Sequence, residues 1–211
     1  MNRVMCIFFV LVFCLASAGS LYAVEVLLDN FEGGIVDYFG PYGTSYLLTA
    51  MYSRTWPGNN PAFVQEGNAS MFLSYSYLGT GWGAMKIGVF VSPGLIPRTL
   101  NLSQCNSIKL WMLGFRPSPP VGPDPEMRIQ LIESGGIGGD EAWQSPAVLM
   151  PSTSAWTEYQ FNFSNFTRTT IFSGTGNNRL DTGSIGSYAI VLLGGATGAT
   201  FTYYLDSLRA A

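Results

Sequence analysis

Acidic side chains inside apolar runs are the first place where this sequence demands chemistry. Glu32 closes the segment Val24-Glu-Val-Leu-Leu-Asp29-Asn-Phe31-Glu32, and Asp206 interrupts Phe201-Thr-Tyr-Tyr-Leu-Asp206-Ser-Leu-Arg209. A carboxylate in such a setting is costly to bury unless a cation or several donors meet it. If the two segments lie side by side, Glu32 and Asp206 meet, and a hard cation such as calcium satisfies both. The alternative leaves both carboxylates in water at strand ends.

A second group pairs polar with aromatic side chains. Lys109 and Trp111 share a face, Arg128 and Gln130 share another, and Glu158 and Gln160 a third; all six are expected to point outward. Tyr75, Tyr77, Trp82 and Trp143 join them with their faces unassigned. Arg128 and Gln130, two polar residues facing one way from a central strand, require a wet groove or a solvated face. Trp156, at the start of a strongly alternating run, is expected in the core.

Catalysis is poorly provided for. Histidine is absent, which removes the commonest general base and every Ser-His or Cys-His arrangement. It also removes the commonest ligand for zinc and copper. Glu133 with Glu158, or Asp140 with Glu141, are the carboxylate pairs a glycosidase would need, but their spacing does not demand that role. The glycine clusters at 135–139 and 174–176 adjoin no helix, so a phosphate cradle is disfavoured. Asn68, Asn101, Asn162 and Asn165 head Asn-x-Ser/Thr sequons, acceptors only in a glycosylating host.

The elements that must carry these residues begin after a leader. Arg3, the apolar run Val4 to Leu15 and small residues ending at Ala18 or Ala23 read as a secretory signal peptide. The run is too short to span a bilayer comfortably, and no second one follows. Residues 24–211 are then one exported domain, extracellular or periplasmic, with enough chain for a single core. Cys6 and Cys14 leave with the leader, so Cys105 has no disulfide partner and serves as a small apolar residue. A net charge of −3 without a basic stripe argues against nucleic acid or anionic lipid.

Alternation marks the strands. Met71, Leu73, Tyr75 and Tyr77 face one way in Ala69 to Tyr77; Ile108, Leu110 and Met112 do so in Ser107 to Leu113. Met127, Ile129 and Leu131 repeat the pattern, as do Tyr159, Phe161 and Phe163, and Glu141 to Met150 reads as one strand around Trp143. Tyr188 to Leu193 is apolar without a break, as in a central strand covered on both faces. No amphipathic helical period appears. About nine or ten strands with turns between them mean an all-β, two-sheet antiparallel sandwich.

The order of several short motifs carries a resemblance. Asp29-Asn30-Phe31-Glu32 opens the domain, and Asn101-Leu-Ser103 leads into Ile108-Lys-Leu-Trp111-Met-Leu-Gly114. Trp156 to Phe166 follows, and Tyr204-Leu-Asp206-Ser-Leu208 closes. In this order they resemble the jelly-roll carbohydrate-binding modules of the galactose-binding-like superfamily, nearest those of family eleven and the related complex I intermediate-associated domains. The resemblance spans essentially all of residues 24–211. It implies a non-catalytic, monomeric module that binds a polysaccharide or glycan. It also implies a structural calcium ion between first and last strands, held by Glu32 and Asp206 with Asp29 as a further ligand; Asn30 stands where the family often has a second Asp. Sugar C–H faces pack on rings, and hydroxyls need fixed donors and acceptors. The outward residues above would supply both. An adhesive domain making protein contacts without sugar is the alternative, and a co-facial set of Trp111, Arg128 and Gln160 in one groove would favour sugar.

Overall fold

The computed structural model describes residues 24–29, 31–32, 38–43, 46–53, 61–77, 82–88, 90–91, 96–97, 99–115, 122–133, 141–150, 153, 155–169 and 176–211. The leader reading lies outside them, as do Asn30 and Asp140. For Tyr75 and for strands within 38–53 and 82–97, only the backbone pairing is described.

Two antiparallel sheets pack face to face. The first contains β12 (Thr157–Asn162), β8 (Ser107–Phe115), β15 (Thr200–Ala210), β4 (Ser70–Tyr77) and β3 (Tyr46–Ser53) in that spatial order, with β1 (Val26–Asp29) also on β15. The second runs β13 (Thr167–Thr169), β10 (Ala142–Gln144), β9 (Glu126–Glu133), β14 (Ile185–Leu193), β5 (Trp82–Gly88) and β2 (Tyr38–Gly43), with β11 (Val148–Leu149) also on β9. A separate short ladder joins β6 (Phe90–Val91) to β7 (Ile96–Pro97). The pairing of the first and last segments is as expected: Val26 stands opposite Ala210 and Leu27 opposite Arg209.

The core lies where the alternation directs it. Met71, Leu73, Ile108, Leu110, Met112, Phe161, Phe201, Tyr203 and Leu205 point in from the first sheet. Met127, Ile129, Leu131, Ile190 and Leu192 meet them from the second. Each such side chain stabilises the fold by about 1.5–3 kcal/mol through burial alone. The unbroken run Tyr188 to Leu193 is central, between β9 and β5. Cys105 is buried, its thiol pushed up by burial.

Two segments depart from expectation. The span around Trp143 is two short strands, because Pro146 brings no N–H to the ladder. Ser145 closes the gap by donating its N–H to the Ile129 carbonyl at 2.9 Å and accepting the Ile129 N–H on Oγ at 3.0 Å. Strands β2 and β3 occupy residues 38–53, a Gly- and Tyr-rich stretch outside the alternating segments named above. Among the described residues, no helix is long and apolar enough to cross a membrane.

Candidate functional site

Lys109 and Trp111 lie on the outer face of the first sheet, opposite the buried side of β8. Cross-strand register sets Trp111 between Glu158 and Asp206, and Lys109 between Gln160 and Arg209. The charges there are mutually paired: Arg209 reaches Glu158 at 2.8 Å and Glu66 at 3.2 Å, and Lys109 approaches Glu25 at 4.0 Å. Further along the face, the Phe63 ring stacks on Tyr204 at 4.5 Å between centroids, with Phe115 edge-on to both. The segment carrying Phe63 thus covers that end of the sheet with its own aromatics.

The acids expected to meet do share one loop. Glu32 Oε1 accepts the backbone N–H groups of Asn68 and Ala69, the latter at 2.9 Å. Asp206 Oδ2 accepts those of Gln65 at 2.8 Å and Glu66 at 3.0 Å, and Oδ1 accepts that of Ser207 at 2.7 Å. Ser207 reaches this position through a bulge and a left-handed φ of 49°. Asp29 turns back on its own strand end, accepting the Phe31 N–H at 2.7 Å. Asp206 is wholly buried, and burial pushes its carboxyl up to about 6 against the pull of the three amides. Among the described residues, no three metal-ligating side chains gather. As arranged, backbone amide protons meet both carboxylates.

On the second sheet, Arg128 and Gln130 point away from Met127, Ile129 and Leu131, as their alternation requires, but Gln130 is buried instead of standing in a wet groove. Arg128 lies opposite Val191; Gln130 lies between Ala189 and Gln144. Arg128 is half-buried and its Nε is shut off from solvent without a hydrogen-bond partner. Its guanidinium forms no ion pair with any described residue. Trp82 pairs in backbone register with Leu193, and Tyr75 with Phe201; their side chains lie outside the described residues.

Several expected site residues therefore part company. Trp111 and Gln160 belong to the first sheet and Arg128 to the second, so the three do not share one groove. Trp143 points into the core, and Tyr77 packs partly buried against it, which removes both as sugar platforms. Glu133 and Glu158 fall on different sheets. Instead Glu133 faces Glu141 across the β9–β10 junction, both almost wholly buried. Glu133 accepts the Asp181 N–H at 2.8 Å, and Glu141 pairs with Arg168 at 2.9 Å. Burial pushes the Glu133 carboxyl up, with the Asp181 amide opposing it. Neither acid is open to a substrate.

Gln160 does line a depression, an open groove of ≈ 570 Å³ at the edge of the first sheet. Cys105, Asn106, Asn162, Phe163, Ser164 and Thr182 complete it. Only the outward alternation of β12 pointed there from the sequence; Asn106 and Thr182 arrive from turns whose meeting depends on the fold.

No protein-family model matches this chain, and no curated protein matches it. Solved structures do. The family 11 carbohydrate-binding module of the cellulosomal cellulase Lic26A-Cel5E of Clostridium thermocellum superposes with a TM-score of 0.59 at 18% identity, covering 89% of this chain and 94% of that one. The Clostridium thermocellum family 11 module in complex with a β-1,3-1,4-mixed-linked tetrasaccharide gives 0.58 at 18% identity, over 88% and 94%. The family 30 module of the cellulase Cel9D-Cel44B of the same organism gives 0.52 at 13% identity, over 89% and 97%. At these identities the likeness establishes the fold: this chain has the β-sandwich of those modules.

Proposed function

We propose that this chain is a non-catalytic carbohydrate-binding module whose glycan lies on the outer face of the second sheet, across Arg128. The observation that carries the reading is the half-buried guanidinium of Arg128, which has no ion-pair partner among the described residues, on a central strand of that sheet. An arginine left with free donors in a partly dry position suits hydroxyl groups arriving from outside. The first sheet offers less, because its charges pair with one another and Phe63 stacks on its Tyr204. A shared fold does not transfer function; the bound tetrasaccharide of one similar module makes β-glucan the first ligand to try.

Affinity electrophoresis against β-glucans, xylans, mannans and galactose-bearing glycans tests the proposal. Retardation on one class, lost in Arg128→Ala with the melting temperature kept, supports it. Retardation lost in Trp111→Ala but kept in Arg128→Ala moves the site to the first sheet. No retardation on any class favours the adhesive, sugar-free alternative.

Calcium is a separate proposal. Glu32 and Asp206 are the residues that would hold it, the ion adding stability and no chemistry, and the loop at 65–69 would have to replace amide protons with oxygens. Export rests on the leader-like residues alone, and N-terminal sequencing of secreted protein checks it.

A further inference from the structure

We infer that the groove at the edge of the first sheet is a second ligand subsite, one that takes an uncharged sugar unit. The inference rests on the glycan-binding reading above but concerns a different part of the molecule.

The groove forms where the chain leaves the first sheet for the second. β12 ends at Asn162, a single 3₁₀ turn follows over Phe163–Asn165, and β13 begins at Thr167 on the other sheet. Asn106, on the turn before β8, is held against this crossing: its carbonyl accepts the Phe163 N–H at 2.8 Å, and its N–H donates to the Ala211 carbonyl at 2.7 Å. Thr182 comes from the turn before β14, its carbonyl accepting the Leu102 N–H at 2.7 Å. Three separate stretches of chain are thus fixed by backbone hydrogen bonds around one opening.

What they present is uncharged and amphoteric. Asn106, Gln160 and Asn162 bring side-chain amides, Ser164 and Thr182 bring hydroxyls, and among the described residues no Asp, Glu, Lys or Arg lines the groove. The amides are partly arranged already. Gln160 Nε2 donates to Ser107 Oγ at 3.2 Å and to Asn162 Oδ1 at 3.0 Å. That leaves Gln160 Oε1 as an acceptor and Asn162 Nδ2 as a donor, neither with a described partner. The partly buried Phe163 supplies an apolar wall. Paired donors and acceptors beside a ring are the complement of sugar hydroxyls around an apolar C–H face. Among the described lining residues a uronic acid finds no cation and a cationic ligand no carboxylate, Lys109 standing one strand further in, opposite Gln160. The opening of ≈ 570 Å³ lies in the size range of small-ligand sites.

The test is an amide NMR titration of the purified protein with β-1,3-1,4-linked glucotetraose, xylotetraose and mannotetraose to about 10 mM, a range that covers millimolar affinity. Expected are shifts of the Asn106, Ser164 and Thr182 amides with one shared midpoint, unchanged in Arg128→Ala and in high salt. Asn162→Ala should raise that midpoint about tenfold, the effect of one hydrogen bond to ligand, while leaving shifts around Arg128 intact. If a sugar moves amides near Arg128 and none at the groove, the subsite is refuted and the proposed function stands. If tetragalacturonate moves the groove amides at lower concentration than the neutral sugars, the uncharged-ligand reading is refuted. If no oligosaccharide moves either set, both readings fail.

Discussion

Replacing Asp206 with asparagine should remove a pH-dependent penalty of about 3 kcal/mol from the folded state. The carboxyl is wholly buried, and burial pushes it from 3.8 to about 6 even though three backbone amides donate to it. An unfolded chain releases this proton near 3.8, whereas the folded chain holds it until about 6. Between those values the folded state binds more protons, so stability falls as pH rises. The stabilising contribution is complete below the lower value and lost above the upper one. Urea unfolding from about pH 4 to about pH 7, with chelator present, measures the difference between wild type and Asp206→Asn. The wild type should lose about 2 kcal/mol relative to the variant over that window, the rest of the penalty lying below pH 4. Asparagine offers one acceptor oxygen where the carboxylate offers two, so the variant starts less stable; the reasoning concerns only the slope. If the wild type instead gains on the variant as pH rises, the three amides outweigh burial, and the account of this site is wrong. The Asp206 carboxyl carbon shift gives the same answer without a variant.

Gly67→Ala should cost roughly 2 kcal/mol and lower the melting temperature by about 5 °C, read by calorimetry. Gly67 has φ +74°, and a Cβ there would stand 2.1 Å from Glu32 Oε1, pushing that carboxylate off its amide donors. The calcium proposal expects EGTA to lower the melting temperature by a few degrees and Asp206→Ala to abolish that response. A flat curve leaves the amides as the partners of these acids.

Single strands were legible where one face alone is buried. In Ser107 to Leu113 the core residues Ile108, Leu110 and Met112 alternate with the half-buried Lys109 and Trp111. Which sheet a strand joins was not legible, because pairing connects residues far apart. Trp111 and Arg128 both point outward, and only the order β12-β8-β15 against β10-β9-β14 reveals that they point in opposite directions. Trp143 sits in a three-residue strand, too short for period two to declare a face. Strand β2 was not legible because Gly40, Pro41 and Gly43 interrupt any pattern, and pairing with β5 rather than propensity makes it a strand. The acid pair was half legible. The sequence required donors for Glu32 and Asp206, and sequence alone did not distinguish backbone amides at 65–69 from a cation.

The pairing of β1 with β15 decides how the domain answers a pull. Val26 and Ala210 are cross-strand partners, so their Cα atoms stand only about 5 Å apart. Tension applied at these two points acts across the ladder instead of along it. The rungs open one after another, each resisting with about 1 kcal/mol, rather than all together in shear. Tethered at both points, the sandwich would yield first by peeling β1 from the end of β15. That would draw on Asp29 and Phe31 next, and through Glu32 on the amides at 68–69. The acid-bearing loop is therefore the second line of mechanical resistance, and a tether on only one side would leave it unloaded.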